Sequence, residues 1–289
     1  MKEIAIVSGK GGTGKTSLVG AFAYLTKPCV IADCDVDAAN LHLMLSPTTD
    51  SLERESFQAG YLAYLDQNLC NSCGLCFDNC RFGAITKEDK LYINPLFCEG
   101  CGVCSDVCPE KAISLQEKTV GEVLAWETRF GQLVQGRLGM AMSTSGKLVT
   151  SVRKKAKETA LTTGANYLLI DGSPGIGCPV IASLTGVDAA VIVTEPTVSG
   201  EHDLKRILDL CRHFNLPAFV IINKFDLNKE QTQLLIEKSK QMGAKIAGQI
   251  KYDPAFYRAV EKGQTILEID NADSGEQVRS AWSYVLANL

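Results

Sequence analysis

Short apolar runs alternate with amphipathic stretches along most of this chain. Residues 4–7, 30–32, 168–170, 190–193 and 218–222 are apolar runs with no polar face, the pattern of strands buried on both sides of a parallel sheet. Between them, apolar positions recur at helical spacing. Leu18, Phe22 and Leu25 form one such set, Leu204, Ile207, Leu208 and Cys211 a second, and Val278, Trp282 and Val285 a third. Strands alternating with helices predict an α/β fold with a doubly wound, mostly parallel sheet. The second strand is read over 30–37 and the third of these runs over 167–171, both ending in carboxylates.

From about residue 57 the pattern changes to short strands, turns and closely spaced cysteines. A hairpin is expected over 120–137, with Arg129, Phe130 and Gly131 at its turn, returning the chain to the main sheet. A polar turn over 143–146 then opens a helix over 148–162 whose Arg153, Lys154, Lys155 and Lys157 are read as a solvated face. The organisation that follows is a discontinuous main domain, 1–56 and 118–289, interrupted by a small α+β module at 57–117.

Composition narrows the class. With 289 residues, 46% hydrophobic and 21% charged, the chain has ample material for a core. A net charge of −4 supplies no general attraction for nucleic acid or anionic membrane. The first apolar run is too short for a signal peptide, and no run approaches a membrane span, so a cytoplasmic protein without a stable membrane anchor is expected. Twelve cysteines in a cytoplasmic chain point to metal rather than disulfides.

The polar segment after the first strand carries the first candidate chemistry. Gly9 to Thr16 satisfies G-x-x-x-x-G-K-[ST], between a strand and a helix as that pattern requires. Gly11, Gly12, Thr13, Gly14, Lys15, Thr16 and Ser17 are candidates to cradle phosphates. Lys15 would reach the β and γ phosphates and the Thr16 hydroxyl would ligate Mg²⁺.

The second candidate is a pair of cysteine runs. Cys70, Cys73, Cys76 and Cys80 are spaced x2, x2, x3, and Cys98, Cys101, Cys104 and Cys108 repeat that spacing, with Pro109 following. This is the bacterial ferredoxin spacing, present twice, in which the fourth cysteine of each run serves the other cluster. Cys70, Cys73, Cys76 and Cys108 are thus expected to hold one [4Fe–4S] cluster, and Cys80, Cys98, Cys101 and Cys104 the second. Zinc is the rival, though it favours separated C-x2-C pairs. Arg81 stands where such modules usually have proline.

With Lys10 beside the first glycine, the phosphate loop resembles the deviant K-G-G-x-G-K-[ST] loop of the MinD/ParA/Mrp superfamily of ATPases. The resemblance extends to ATPases of that group with an inserted two-cluster ferredoxin domain, and it covers nearly the whole chain. It implies a homodimer with ATP and Mg²⁺ at its interface, Lys10 reaching the partner's phosphates. It implies that Asp35 orients the attacking water, that Asp33 supports the Mg²⁺ shell, and that Asp171 is the carboxylate of a second Mg²⁺-binding motif. Residues 172–177 resemble a switch segment. Asn223, in the tetrad Asn223-Lys224-Phe225-Asp226, and Asp253 would lie beside the base. The tetrad also matches guanine-selecting sequences, and ATP is favoured. Cys178 occupies the place where nitrogenase iron proteins, a distant branch, carry an interfacial cluster ligand; a small buried residue is the alternative.

These features together imply an ATPase whose hydrolysis is coupled to electron transfer with a redox partner. Two alternatives are an iron–sulfur or metal carrier serving a client protein, and a MinD/ParA-like positioning ATPase.

Overall fold

A computed structural model of the chain describes residues 1–48, 52–139, 145–270 and 272–289. The chain forms two compact units. The first joins Met1–Glu55 to Glu122–Leu289, and the second is Ser56–Gly121.

The first unit is built on β1 (Lys2–Ser8), β2 (Cys29–Asp33), β7 (Gly131–Leu138), β8 (Tyr167–Pro174), β9 (Ala189–Thr194), β10 (Ala218–Asn223) and β11 (Lys245–Ile250). Two longer strands, β3 (Glu53–Leu65) and β6 (Ile113–Thr128), lead into and out of the second unit. The sheet order is β11-β10-β9-β1-β8-β2-β7-β6-β3. From β11 across to β7 every pairing is parallel. β1 is therefore a central strand, and its burial on both faces explains why its sequence lacks a polar side.

Side-chain parity sorts the layers. Ile4 and Ile6 join Ile31, Leu169, Val191 and Phe219 in a core closed by α1 (Lys15–Thr26) and α10 (Asp273–Ala287). There Phe22 stacks on Trp282 at 4.4 Å between ring centres, and the Trp282 indole N–H donates to Thr26 Oγ1 at 2.8 Å. Val7, of opposite parity, lies near Ser183 of α6 (Cys178–Leu184); a Cβ on Gly172 would sit between them, 2.8 Å from Val7 Cγ1.

Several elements differ from the sequence reading. β2 ends at Asp33 rather than continuing to residue 37. The Asp33 carboxylate accepts the N–H groups of Asp35 and Leu41, both at 3.2 Å, and this folds the following loop out of the sheet. α5 (Ser145–Thr163) begins earlier than expected; Gly146 lies within it, while Ser143 and Thr144 of the expected polar turn are outside the described residues. Its basic face is largely neutralised in cis. Arg153 and Lys157 both pair with Glu3, at 2.9 and 2.5 Å, and Lys155 with Glu55 at 2.6 Å. Helices α2 (His42–Leu45), α7 (Val198–His213), α8 (Lys229–Gln241) and α9 (Ala255–Glu261) complete the first unit. Among the described residues no helix is long and apolar enough to cross a membrane.

In the second unit, β4 (Ile85–Lys87) and β5 (Leu91–Ile93) pair antiparallel beside the single-turn helices α3 (Leu75–Asp78) and α4 (Val103–Asp106). The two halves repeat one backbone design. Ser72, Gly74 and Gly83 take positive φ in the first half, and Gly100, Gly102 and Lys111 do so at the corresponding places in the second. Gly100 cannot be replaced cheaply, because a Cβ would lie 2.1 Å from the Tyr61 carbonyl oxygen.

Candidate functional site

The C-terminal ends of β1, β8, β9, β10 and β2 lie side by side in the sheet, which is where open parallel sheets bind ligands. The loop leaving β1 turns through Gly12 (φ 78°) and Gly14 (φ 90°) into α1. A cavity of about 740 Å³ opens over this loop. Its walls include Gly11, Gly12, Thr13, Gly14, Lys15, Thr16, Ser17, Asp35, Asn223 and Asp253. Lys10, Asp33, Asp171 and Cys178 do not line it.

Beneath the loop lies a buried charge cluster. The Lys15 ammonium is hydrogen-bonded to the Asp171 carboxylate, and both side chains are almost wholly enclosed. Burial alone would lower the Lys15 pKa; attraction to Asp171, Asp35 and Asp33 outweighs it, and the net shift is upward. Burial and the neighbouring Asp171 push the Asp33 carboxyl up to about 8. Two buried oxygens of this region, Thr13 Oγ1 and Asp171 Oδ2, have no hydrogen-bond partner.

The far wall carries Asn223, Lys224 and Asp253. The Asn223 amide donates to the Thr13 carbonyl at 2.8 Å. Lys224 takes a left-handed conformation and donates to the Gly12 carbonyl at 3.1 Å. Asp226 lies outside the cavity lining, and its Oδ1 accepts the Tyr252 N–H at 2.7 Å. The Asp253 carboxylate accepts the Ala255 N–H at the start of α9 at 2.8 Å and the Ser274 hydroxyl at 2.7 Å. Tyr252, Phe256, Tyr257 and Val260 supply an apolar rim.

The segment over 172–177 is tied to the ends of β2 and β1. The Ser173 hydroxyl donates to the Cys34 carbonyl at 2.6 Å, and the Gly175 N–H donates to the Ser8 carbonyl at 2.9 Å. Cys178 is exposed at the start of α6, whereas Cys29, Cys34 and Cys211 are buried.

The family model for the CobQ/CobB/MinD/ParA nucleotide binding domain matches residues 4–266. The chain belongs to the CobQ/CobB/MinD/ParA nucleotide-binding family. Its relatives include an uncharacterized protein of Methanocaldococcus jannaschii, 38% identical over 229 residues, or 78% of this chain and 79% of that protein. Among solved structures, the fold resembles that of the MinC:MinD cell division protein complex of Aquifex aeolicus, with a TM-score of 0.58, 18% identity and coverage of 99% of this chain and 96% of that one. It also resembles the septum site-determining protein MinD complexed with Mg-ADP from Pyrococcus horikoshii, with a TM-score of 0.56, 19% identity and coverage of 99% and 97%. At these identities the structures establish a shared fold, and the family match establishes the nucleotide-binding domain.

The second unit holds a different constellation. One small cavity is lined by Cys80, Cys98, Cys101 and Cys104, with Phe82, Ile85 and Ile93 among its apolar walls. Another is lined by Cys70, Cys73, Cys76 and Cys108, with Leu65, Leu91 and Ile113. Cys80 and Cys108 have thus exchanged places between the runs. Backbone N–H groups of Ala63, Ser72 and Ala112 donate to the sulfurs of Cys98, Cys70 and Cys108, at 3.5, 3.4 and 3.3 Å. Burial raises the thiol pKa of Cys76 and Cys104. Among the described residues, no group of three or more His, Cys, Asp or Glu side chains converges to grip a single ion. The eight cysteines line the two cavities instead, four to each.

Sequence reasoning passed over Glu195, Thr197 and Ser199, which hold Lys10 (Lys10–Glu195 2.6 Å; Lys10–Thr197 and Lys10–Ser199 each 3.2 Å). The available signal was the polar run Thr194-Glu195-Pro196-Thr197 at the end of an aliphatic strand.

Proposed function

We propose that this protein binds and hydrolyses ATP as a dimer and carries two [4Fe–4S] clusters, so that nucleotide turnover is coupled to electron transfer with a redox partner. The observation that carries the iron–sulfur part is the four-by-four distribution of eight cysteines over two cavities, with Cys80 and Cys108 crossing between runs. Thiolates around the wall of a cavity suit a cubane, where each binds a different iron, better than a single zinc ion, which needs four donors at one point. The clusters when bound supply one-electron chemistry. The chain contributes the eight thiolates, the backbone N–H donors that temper the charge on three sulfurs, and apolar walls that limit water.

For the nucleotide, Lys15 and the loop N–H groups would neutralise phosphate charge, with the Thr16 hydroxyl and Asp171 available to a Mg²⁺ ion. Asp35, on the cavity wall, is the carboxylate suited to orient an attacking water. Adenine is favoured because Asp226, the acidic group that guanine would need, lies outside the cavity lining. Lys10 would cross to a second copy's phosphates, as a cation supplied in trans.

The comparisons themselves speak more directly for a second reading, a MinD/ParA-like positioning ATPase, because the solved structures of similar fold include cell-division proteins. Such a protein needs a membrane or DNA surface to act on. ATP-dependent co-sedimentation with anionic vesicles or DNA would favour it over redox coupling.

Anaerobic purification with metal analysis tests the main reading. About eight iron atoms per chain are expected, with a visible spectrum that bleaches on reduction at a rate dependent on nucleotide. Stoichiometric zinc would overturn the cluster assignment, and a spectrum indifferent to nucleotide would overturn the coupling.

A further inference from the structure

Lys10 does not project freely. Its ammonium is 2.6 Å from Glu195 Oε1 and 3.2 Å from each of the Thr197 and Ser199 hydroxyls. The other oxygen of the same carboxylate, Oε2, is 3.1 Å from the Lys224 ammonium, which also donates to the Gly12 carbonyl. One carboxylate at the end of β9 therefore sits between the extra lysine of the phosphate loop and the lysine of the base-side tetrad. The group is sheltered: the Glu195 side chain is 15% exposed, against 32% for Lys10 and 21% for Lys224.

We propose that Glu195 is a positioning residue that parks Lys10 in the single subunit and releases it when a second copy presents nucleotide phosphates. The proposal rests on the reading that Lys10 acts in trans. Lys10 has three partners in its own chain, so it crosses only when a stronger anion replaces them, and a polyphosphate is such an anion. Losing Lys10 would ordinarily strand a half-buried carboxylate. Lys224 prevents this, because it stays on Oε2 and is anchored to Gly12, beside the bound phosphates. The same carboxylate thereby links occupancy of the loop to the availability of the lysine. An unpaired lysine would act at any encounter between subunits; a parked one restricts association to the nucleotide-loaded state.

Two lysines sharing one carboxylate predict opposite effects when its partners are altered. The test is sedimentation velocity of the full-length chain over a range of concentrations, with Mg²⁺ and a non-hydrolysable ATP analogue. Glu195→Gln should lower the concentration for half-dimerisation about tenfold. Ser199→Ala, which removes one hydroxyl contact and leaves the carboxylate, should shift it the same way by less. Lys224→Met should raise it, since Glu195 then keeps Lys10 as its sole cation. Adding Lys10→Ala to Glu195→Gln should erase the gain. Unchanged or weakened dimerisation in both Glu195→Gln and Ser199→Ala would overturn the parking role, as would Lys224→Met shifting in the same direction as Glu195→Gln. Lys10→Ala alone separates the two levels. If that variant dimerises and hydrolyses ATP like the parent chain, the trans-acting lysine itself is wrong. If it fails to do so while Glu195→Gln has no effect, only the parking role is lost.

Discussion

The Asn223 side-chain amide donates a 2.8 Å hydrogen bond to the Thr13 carbonyl, joining the end of β10 to the phosphate loop. Gly14 is drawn into the same contact, because a Cβ there would lie 2.4 Å from Asn223 Nδ2. The end of β10 and the phosphate loop are thus one mechanical piece.

Asn223→Ala removes the donor and leaves the Thr13 carbonyl unpaired in a buried position. It should destabilise the chain by about 1–3 kcal/mol and weaken nucleotide binding, as read by denaturant melts and fluorescent-nucleotide titration. Gly14→Ala should be worse, since it adds strain at φ 90° to the clash.

Lys15 and Lys10 should separate binding from turnover. Lys15→Ala should abolish nucleotide binding, and it should also destabilise the nucleotide-free chain by about 3 kcal/mol, because Asp171 loses its buried cation. Lys10→Ala should keep binding and lose hydrolysis, measured by phosphate release. Normal phosphate release from that variant would remove the trans-lysine reading.

The exchange of Cys80 and Cys108 between cavities makes a specific prediction for single variants. Cys108→Ala should compromise the site with Cys70, Cys73 and Cys76, and spare the one lined by Cys80, Cys98, Cys101 and Cys104. Iron content should fall by about half, and the remaining spectrum should match that left by Cys70→Ala rather than that left by Cys98→Ala.

Thiol reactivity should divide the other four cysteines. Burial pushes Cys29 and Cys211 up to about 12 and raises Cys34 further, whereas Cys178 is exposed. Alkylation of the native protein near pH 8, read by peptide mass spectrometry, should label Cys178 and leave Cys29, Cys34 and Cys211 unmodified until the chain unfolds.

Glu195 should leave a trace in the pH dependence of stability. Burial works to raise its pKa, but hydrogen bonds from Lys10 and Lys224 prevail and the net shift is downward from 4.5. A depressed carboxyl contributes stability above its unfolded pKa and loses it as pH falls through the folded value. The stability difference between the parent chain and Glu195→Gln should therefore be constant above about pH 5 and shrink below it, as measured by denaturant melts at each pH.

By itself the sequence determined whatever depends on residues close together in the chain. The phosphate loop is read within eight positions because backbone N–H groups of successive residues do the binding. The cysteine runs are legible for the same reason, and the aliphatic strands announce a parallel sheet because both their faces must be apolar. Tertiary structure alone decided the contacts between strand ends. Lys10 meets Glu195, and Thr13 meets Asn223, because β1, β9 and β10 are neighbours in the sheet and run parallel. Their C-terminal loops are delivered to one edge from positions far apart in the chain. No spacing rule encodes that meeting. It follows from strand order, which is set by how the buried faces pack against the helices, and that packing is a property of the whole domain.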